Sequence, residues 1–283
     1  MPIRPAAVAG AWYPGTAGAL TRDVDGYLQQ APEWTGGPIH AILAPHAGLM
    51  FSGPVGAHAY KAASPQSFDV IVLAGPSHYV AFDGVSIFPE GAFATPLGDA
   101  PIDQALARAL LEYPIVQPLP AAHQREHSLE MQLPFVRRLF PDVPIVPLVM
   151  GYQTRETILG LAEALGEACR GRRTLLVGST DLSHYFDART AESLDRGVQS
   201  DVAAFDAEGL LARFERYPEH ERGRYVACGG GPAIAVMMAA RRLGATGARI
   251  LKYAHSGEIS GDYAGVVGYL AAAIGAFEGA GSS

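Results

Sequence analysis

Seven short apolar runs, most of them rich in β-branched residues, recur along the chain at 40–44, 68–74, 84–88, 143–149, 173–178, 247–253 and 264–270. Each has the length of a strand and is nearly continuous in apolar character, the pattern of a strand covered on both faces. Between several of them the apolar positions take helical spacing, over about 54–62, 101–112, 128–140, 154–169, 188–204 and 232–243. This alternation predicts an α/β fold with a central, mostly parallel sheet flanked by helices. Proline and glycine are spread along the chain, and no repeat or low-complexity linker interrupts it. A single domain over 1–283 is expected, with only Gly279-Ala-Gly-Ser-Ser283 reading as a loose tail.

Composition narrows the class. Hydrophobic residues make up 49% of 283, enough for a sizeable core. Charged residues are only 17%, the formal net charge is -7, and no basic block stands out. Nucleic acid is therefore not the expected partner, since it calls for clustered Lys and Arg. No apolar run approaches the ~20 residues that span a bilayer, and the N-terminus lacks a basic head followed by an apolar stretch. Two cysteines, Cys169 and Cys228, do not make a disulfide framework. The expectation is a soluble, cytoplasmic, acidic protein with no membrane partner.

Three of the apolar runs end on residues that carry chemistry. His46 closes His40-Ala-Ile-Leu-Ala-Pro-His46, His78 follows Val70-Ile-Val-Leu-Ala-Gly-Pro76, and Asp181 and His184 follow Thr174-Leu-Leu-Val-Gly-Ser179. In open α/β sheets ligands bind beyond the carboxyl ends of strands. His46 and His78 each sit on a turn stiffened by proline, and neutral imidazole is a ligand for Fe, Zn, Cu and Ni. Either alone could simply bond a loop carbonyl; matching strand ends favour a site. Asp181 and His184, three apart, suit a general-base histidine positioned by a carboxylate, or Asp181 caps a helix. Glu126-His127-Ser-Leu-Glu130 opens a helical stretch from which Glu126 and His127 would reach the same cleft, with Ser128 as a helix cap in the plainer reading. Cys228 precedes Gly229-Gly-Gly-Pro232, with Pro232 suited to the first helical position and the glycines to a bendable loop. Thiolate is favoured at a helix N-terminus and is both nucleophile and metal ligand; a buried inert cysteine is the usual alternative. Cys169 and the histidines at 40, 58, 123, 220 and 255 read as packing or surface residues. Nucleotide-binding glycine fingerprints, the Gly-x-Ser-x-Gly elbow, His-Glu-x-x-His and paired Cys-x-x-Cys are all absent.

Five motifs in order, Pro45-His-Ala-Gly48, Gly75-Pro-Ser-His78, Glu126-His-Ser-Leu-Glu-Met-Gln-Leu-Pro134, Ser179-Thr-Asp-Leu-Ser-His184 and Cys228-Gly-Gly-Gly-Pro232, resemble the Memo family, whose prokaryotic members are also called AmmeMemoRadiSam system protein B. The resemblance runs from Arg4-Pro-Ala-Ala-Val-Ala-Gly-Ala-Trp-Tyr-Pro14 to Gly261-Asp-Tyr-Ala-Gly-Val-Val-Gly-Tyr269. It implies a fold similar to class III extradiol dioxygenases, non-haem iron enzymes that hold Fe(II) with two histidines and a glutamate. Carried over by motif, His46 and His78 take the histidine positions, Cys228 stands where the glutamate would be, His184 matches the acid/base histidine with Asp181 beside it, and His127 lines the cleft. Thiolate in place of carboxylate shifts the preference toward Cu or Zn, with Fe(II) retained as a candidate. The family name also implies association with a radical SAM protein.

Four functions compete at this point. A metal-dependent oxidoreductase would use Fe(II) or Cu on His46, His78 and Cys228, bind a small-molecule substrate, and move protons through His184. A metal-binding protein without turnover would use the same ligands. An interaction module would bind a partner protein in the cleft. A cysteine hydrolase would pair Cys228 with His184 and leave His46 and His78 unexplained. No motif sets the oligomeric state.

Overall fold

A computed structural model describes residues 2–277; the expected tail at 279–283 lies outside the described residues. The expected α/β architecture is present. Its main sheet contains β1 (Ile39–Ala44), β2 (Val70–Pro76), β3 (Val85–Ile87), β4 (Val116–Pro118), β5 (Ile145–Met150), β6 (Thr174–Ser179), β7 (His184–Phe186), β8 (Gly247–His255) and β9 (Val266–Gly275). The strand order is β7-β9-β1-β6-β2-β5-β3-β4, with β8 off this path and paired antiparallel to β9 over Gly268–Gly275. The four central strands β1, β6, β2 and β5 are mutually parallel. β9 joins β1 antiparallel and β3 joins β5 antiparallel. All seven residues of β2 and all six of β5 and β6 are buried, which explains why they read as apolar runs without alternation.

The helices Leu49–Ala63 and Gly230–Arg242 pack on this sheet. A second, three-stranded sheet joins Ile3–Arg4, Ala92–Phe93 and Ala100–Pro101. Through it the N-terminal arm pairs with the segment between β3 and β4. Buried Arg4 pairs with buried Glu130 and donates to the carbonyls of His123 and Glu126. Glu130 in turn accepts from the backbone of Ala7 and Val8 and from the Tyr13 hydroxyl. This anchored arm brings Trp12 to the sheet's carboxyl edge. No helix among the described residues is long and apolar enough to cross a membrane.

Several expectations need correction. β9 runs on through Ala271-Ala-Ala-Ile-Gly275, beyond the expected end at 270, because pairing with β1 and β8 overrides the helical propensity of alanine. The stretch 128–140 is not one helix. It forms a 3₁₀ turn at Glu130–Gln132 and then a helix at Leu133–Leu139. Ser128 is not a cap: its hydroxyl donates to the Pro76 carbonyl at 2.9 Å, tying this segment to the end of β2. The helix expected at 54–62 starts at Leu49 and carries Pro54 inside it.

Candidate functional site

Parallel alignment brings three strand ends side by side. His46 lies two residues past β1, Asp181 two past β6, and His78 two past β2, on neighbouring strands with β6 in the middle. His184 begins β7, and Cys228 precedes the helix Gly230–Arg242. A pocket of about 500 Å³ opens there, lined by His46, His78, His127, Asp181, His184 and Cys228, with Trp12, Tyr185 and Arg224 among the wall residues. All six sequence-derived site residues therefore meet in one cavity.

The three imidazoles at positions 46, 78 and 184 share one feature: each has its Nδ1 engaged by the surrounding fold. His184 Nδ1 lies 2.7 Å from the Leu182 carbonyl, which can only accept. His78 Nδ1 lies 2.8 Å from Glu126 Oε1, a carboxylate oxygen. His46 Nδ1 lies 2.9 Å from Ser179 Oγ. The Ser179 hydroxyl proton already goes to the Ser128 carbonyl at 2.7 Å, and Gln132 Nε2 donates to the same oxygen at 2.8 Å. Ser179 Oγ must therefore accept from His46. In each ring Nδ1 carries a proton committed to the fold, so Nε2 is the nitrogen left to face the pocket.

Cys228 is where these rings converge. Its Sγ is 3.2 Å from His46 Nε2. One ligand atom each from His46, His78 and Cys228 lie within 4.8 Å of one another, and the same holds for Asp181, His184 and Cys228. The electrostatics are coupled. Burial opposes the thiolate, but the charge of His46 and hydrogen bonds from His184, His46 and His78 outweigh it and hold the Cys228 pKa well below its ordinary value. Burial likewise opposes the imidazolium forms. Hydrogen bonds to Cys228 and Glu126 nevertheless raise the His78 pKa to about 10, and Cys228 and Asp181 help raise that of His184 to about 9. His46 also moves up, against burial, through Cys228 and Asp181. The surroundings thus favour the thiolate at Cys228 and the protonated form of the rings around it.

His127 differs. Burial and the neighbouring His46 and His78 push its pKa down to about 3, so its ring is neutral. Its Nδ1 is buried without a hydrogen-bond partner. The ring stacks on His78 at a centroid distance of 4.3 Å and sits 4.3 Å from Trp12. It acts as part of the wall.

Two expected roles change. Asp181 does not orient His184 by a direct hydrogen bond; its Oδ1 accepts the backbone N–H of His46 at 2.8 Å and that of Ala47 at 3.4 Å, fixing the turn that carries His46. Burial raises the Asp181 pKa despite the attraction of His46. The glycines after Cys228 are not a bendable loop. Gly230 and Gly231 already lie in the helix, ahead of Pro232, and a Cβ on Gly229 would meet the Ser179 carbonyl oxygen at 2.2 Å. Cys169 is buried, and burial raises its pKa to about 11.

Sequence reasoning passed over Ser179 and Gln132, although both stand in quoted motifs, because neither is a ligand type. It also passed over Tyr185 and Arg224. Tyr185 follows His184 directly, and Arg224 stands four residues before Cys228, but no spacing marked either one.

Comparison with known proteins identifies the family. A sequence model of the Memo-like protein family matches residues 4–273. A MEMO1 family protein of Methanopyrus kandleri is 35% identical over 281 residues, covering 95% of this chain and 97% of its own. One from Methanothermobacter thermautotrophicus is 37% identical over 282 residues, covering 94% and 98%. Among solved structures, an uncharacterized protein of Escherichia coli K12 shares the fold with a TM-score of 0.59 at 15% identity, covering 84% of this chain and all of that one. With the family model spanning nearly the whole chain and relatives of this identity matching end to end, the protein belongs to the Memo family.

Proposed function

We propose that the pocket is a redox-metal site in which His46, His78 and Cys228 are the ligands and His184 handles protons, making the protein a metal-dependent oxidoreductase. The observation that carries this reading is the shared Nδ1 anchoring of three imidazoles around one sulfur. Metal-ligating histidines are characteristically fixed in this way through their second nitrogen, which sets tautomer and direction. A histidine used only for packing has no need of an anchored Nδ1 with its Nε2 turned to a shared sulfur.

The donor set also suits the charge. A cation at the sulfur would take the place of the protons that now balance it. Asp181 is the weaker ligand candidate, because its Oδ1 is committed to two backbone N–H groups. Two imidazoles and a thiolate suit Fe(II), Cu or Zn. A redox metal with an open position would supply binding and activation of O₂ or substrate. The chain's own residues supply the rest: His184, held by Leu182, offers a proton donor or acceptor at Nε2, and Trp12 and His127 form part of the cavity wall.

Anaerobic titration with Fe(II), Cu(I) and Zn(II) tests the reading. The wild type should bind one equivalent tightly, and Cys228→Ala should bind it at least tenfold more weakly, as expected for loss of a ligand. Equal binding by the two proteins would remove the metal site. Tight binding with no O₂ consumption across a substrate panel would reduce the function to metal binding without turnover.

A further inference from the structure

One wall residue plays no part in holding a metal. Arg224 lies in the helix Glu219–Tyr225, lines the pocket, and is exposed. Its guanidinium sits 4.8 Å from the centroid of the Phe186 ring and 5.8 Å from that of Tyr225. Among the described residues no carboxylate pairs with it, whereas the other arginine of this helix, Arg222, donates to the carbonyls of Tyr217 and Gln153. The one carboxylate on the pocket wall, Asp181, is turned to the backbone of His46 and Ala47. Arg224 is thus a cation held over aromatic rings with its hydrogen-bonding fork uncommitted.

Tyr185 adds a second unusual feature. It is a non-glycine residue at φ 62, and the pairing with β9 slips between His184 and Phe186. The residue is 70% exposed and lines the same pocket. A tyrosine held in the left-handed region is strained, and strain of this kind persists where surrounding structure enforces it, often at binding sites. The ring gains no burial in return. Apart from Arg224, Tyr185 and the cluster of histidines, Asp181 and Cys228, the remaining wall is uncharged: Trp12, Ala47, Val267 and two glycines.

We propose that this pocket takes a small molecule with a carboxylate group and a planar apolar body, the carboxylate pairing with Arg224 and the body lying against Trp12 and Tyr185. The inference rests on the pocket being the reaction site proposed above, and it adds the substrate class. A planar guanidinium on a ring matches a planar carboxylate through two parallel N–H bonds. The cavity of about 500 Å³ falls within the range of small-molecule sites.

The test is calorimetric binding of benzoate and of its neutral isostere benzamide to chelator-stripped, full-length protein. Benzoate should bind the wild type about tenfold more tightly than benzamide, the scale of one charge-assisted pair. Any anion is drawn to the imidazole cluster, so Arg224→Gln decides: it should remove the preference, and Arg224→Lys should restore part of it. The proposal is overturned by equal binding of the two compounds, by no saturable binding of benzoate at millimolar concentration, or by a preference that survives in Arg224→Gln. Working without metal keeps the two readings apart. Loss of the benzoate preference leaves the metal titration untouched, and a failed titration leaves the benzoate result standing.

Discussion

The Glu126 carboxylate holds His78 at two points, Oε2 accepting its backbone N–H at 2.6 Å and Oε1 accepting from Nδ1 at 2.8 Å. The same carboxylate accepts the backbone N–H of Ser128 at 2.9 Å. Burial opposes its charge, but these bonds hold its pKa down at about 2. Glu126→Gln keeps the shape and removes the charge that fixes the ring. Metal affinity should fall by about 10- to 100-fold, as for other second-layer partners of ligating histidines. The loss should be smaller than that in His78→Ala. Titration of the three proteins side by side checks the order, and an unchanged affinity in Glu126→Gln would reduce the pair to a structural contact.

His184 is anchored by the Leu182 carbonyl and belongs to a different ligand grouping from His46 and His78. If it moves protons rather than holding the metal, His184→Ala should keep one tight equivalent and lose turnover by roughly 100-fold or more, the usual weight of a general acid or base. Metal stoichiometry and O₂ uptake, measured on one preparation, separate the roles. Loss of the metal would make His184 a ligand.

Much of this arrangement was legible in the sequence, and the missing part has a physical pattern. His46, His78 and Asp181 stood out because parallel buried strands read as apolar runs, and whatever ends such a run sits at the sheet's carboxyl edge. That Cys228 meets them depends on the chain returning from 184 to 228 and on β6 lying between β1 and β2, which periodicity does not encode. The glycines after Cys228 read as a bendable loop for a related reason. At Gly229 the need is for close approach to β6, where the Gly229 N–H donates to Thr180 Oγ1 at 3.0 Å, and only the tertiary contact distinguishes that from flexibility. The helices Ala17–Gln30, Ala207–Phe214 and Glu219–Tyr225 were not foreseen. The last has no buried residue and so presents no apolar stripe to detect.

His123 provides a stability switch away from the pocket. It is 1% exposed, and its Nε2 lies 3.0 Å from Ser86 Oγ, whose proton goes to the Leu119 carbonyl. Burial, with Arg4 nearby, lowers its pKa to about 3. A histidine in the unfolded chain titrates near ~6.5. Between these values the unfolded chain binds a proton that the folded chain does not, so this group's contribution to stability falls as pH drops through that window. At about 1.4 kcal/mol per pH unit the effect reaches a few kcal/mol at the acid end. His123→Phe should flatten the decline. Urea midpoints measured at about pH 7 and about pH 4.5, either side of the unfolded-state titration, give the comparison. A wild type and variant with parallel losses would place the acid sensitivity elsewhere.

Cys228 and Cys169 should differ in reactivity as sharply as their surroundings do. Cys228 is half-buried in the pocket with His46 Nε2 at 3.2 Å, while Cys169 is buried and its pKa is raised to about 11. Thiolate is the reacting form, so an ordinary thiol with a pKa near ~8.5 alkylates about tenfold more slowly for each pH unit below that value. Native protein treated with iodoacetamide should take up one equivalent, at Cys228, at a rate that falls less steeply from about pH 8 to about pH 6 than that of an ordinary thiol, because the surrounding imidazoles favour the thiolate. His46→Ala should bring back part of the ordinary slope, since His46 is the leading charge that favours the thiolate. Prior addition of Zn(II) should protect the thiol if the sulfur is a ligand. An ordinary slope in the wild type would mean that the imidazoles do not hold the sulfur ionised, and protection absent despite bound Zn(II) would take Cys228 out of the ligand set.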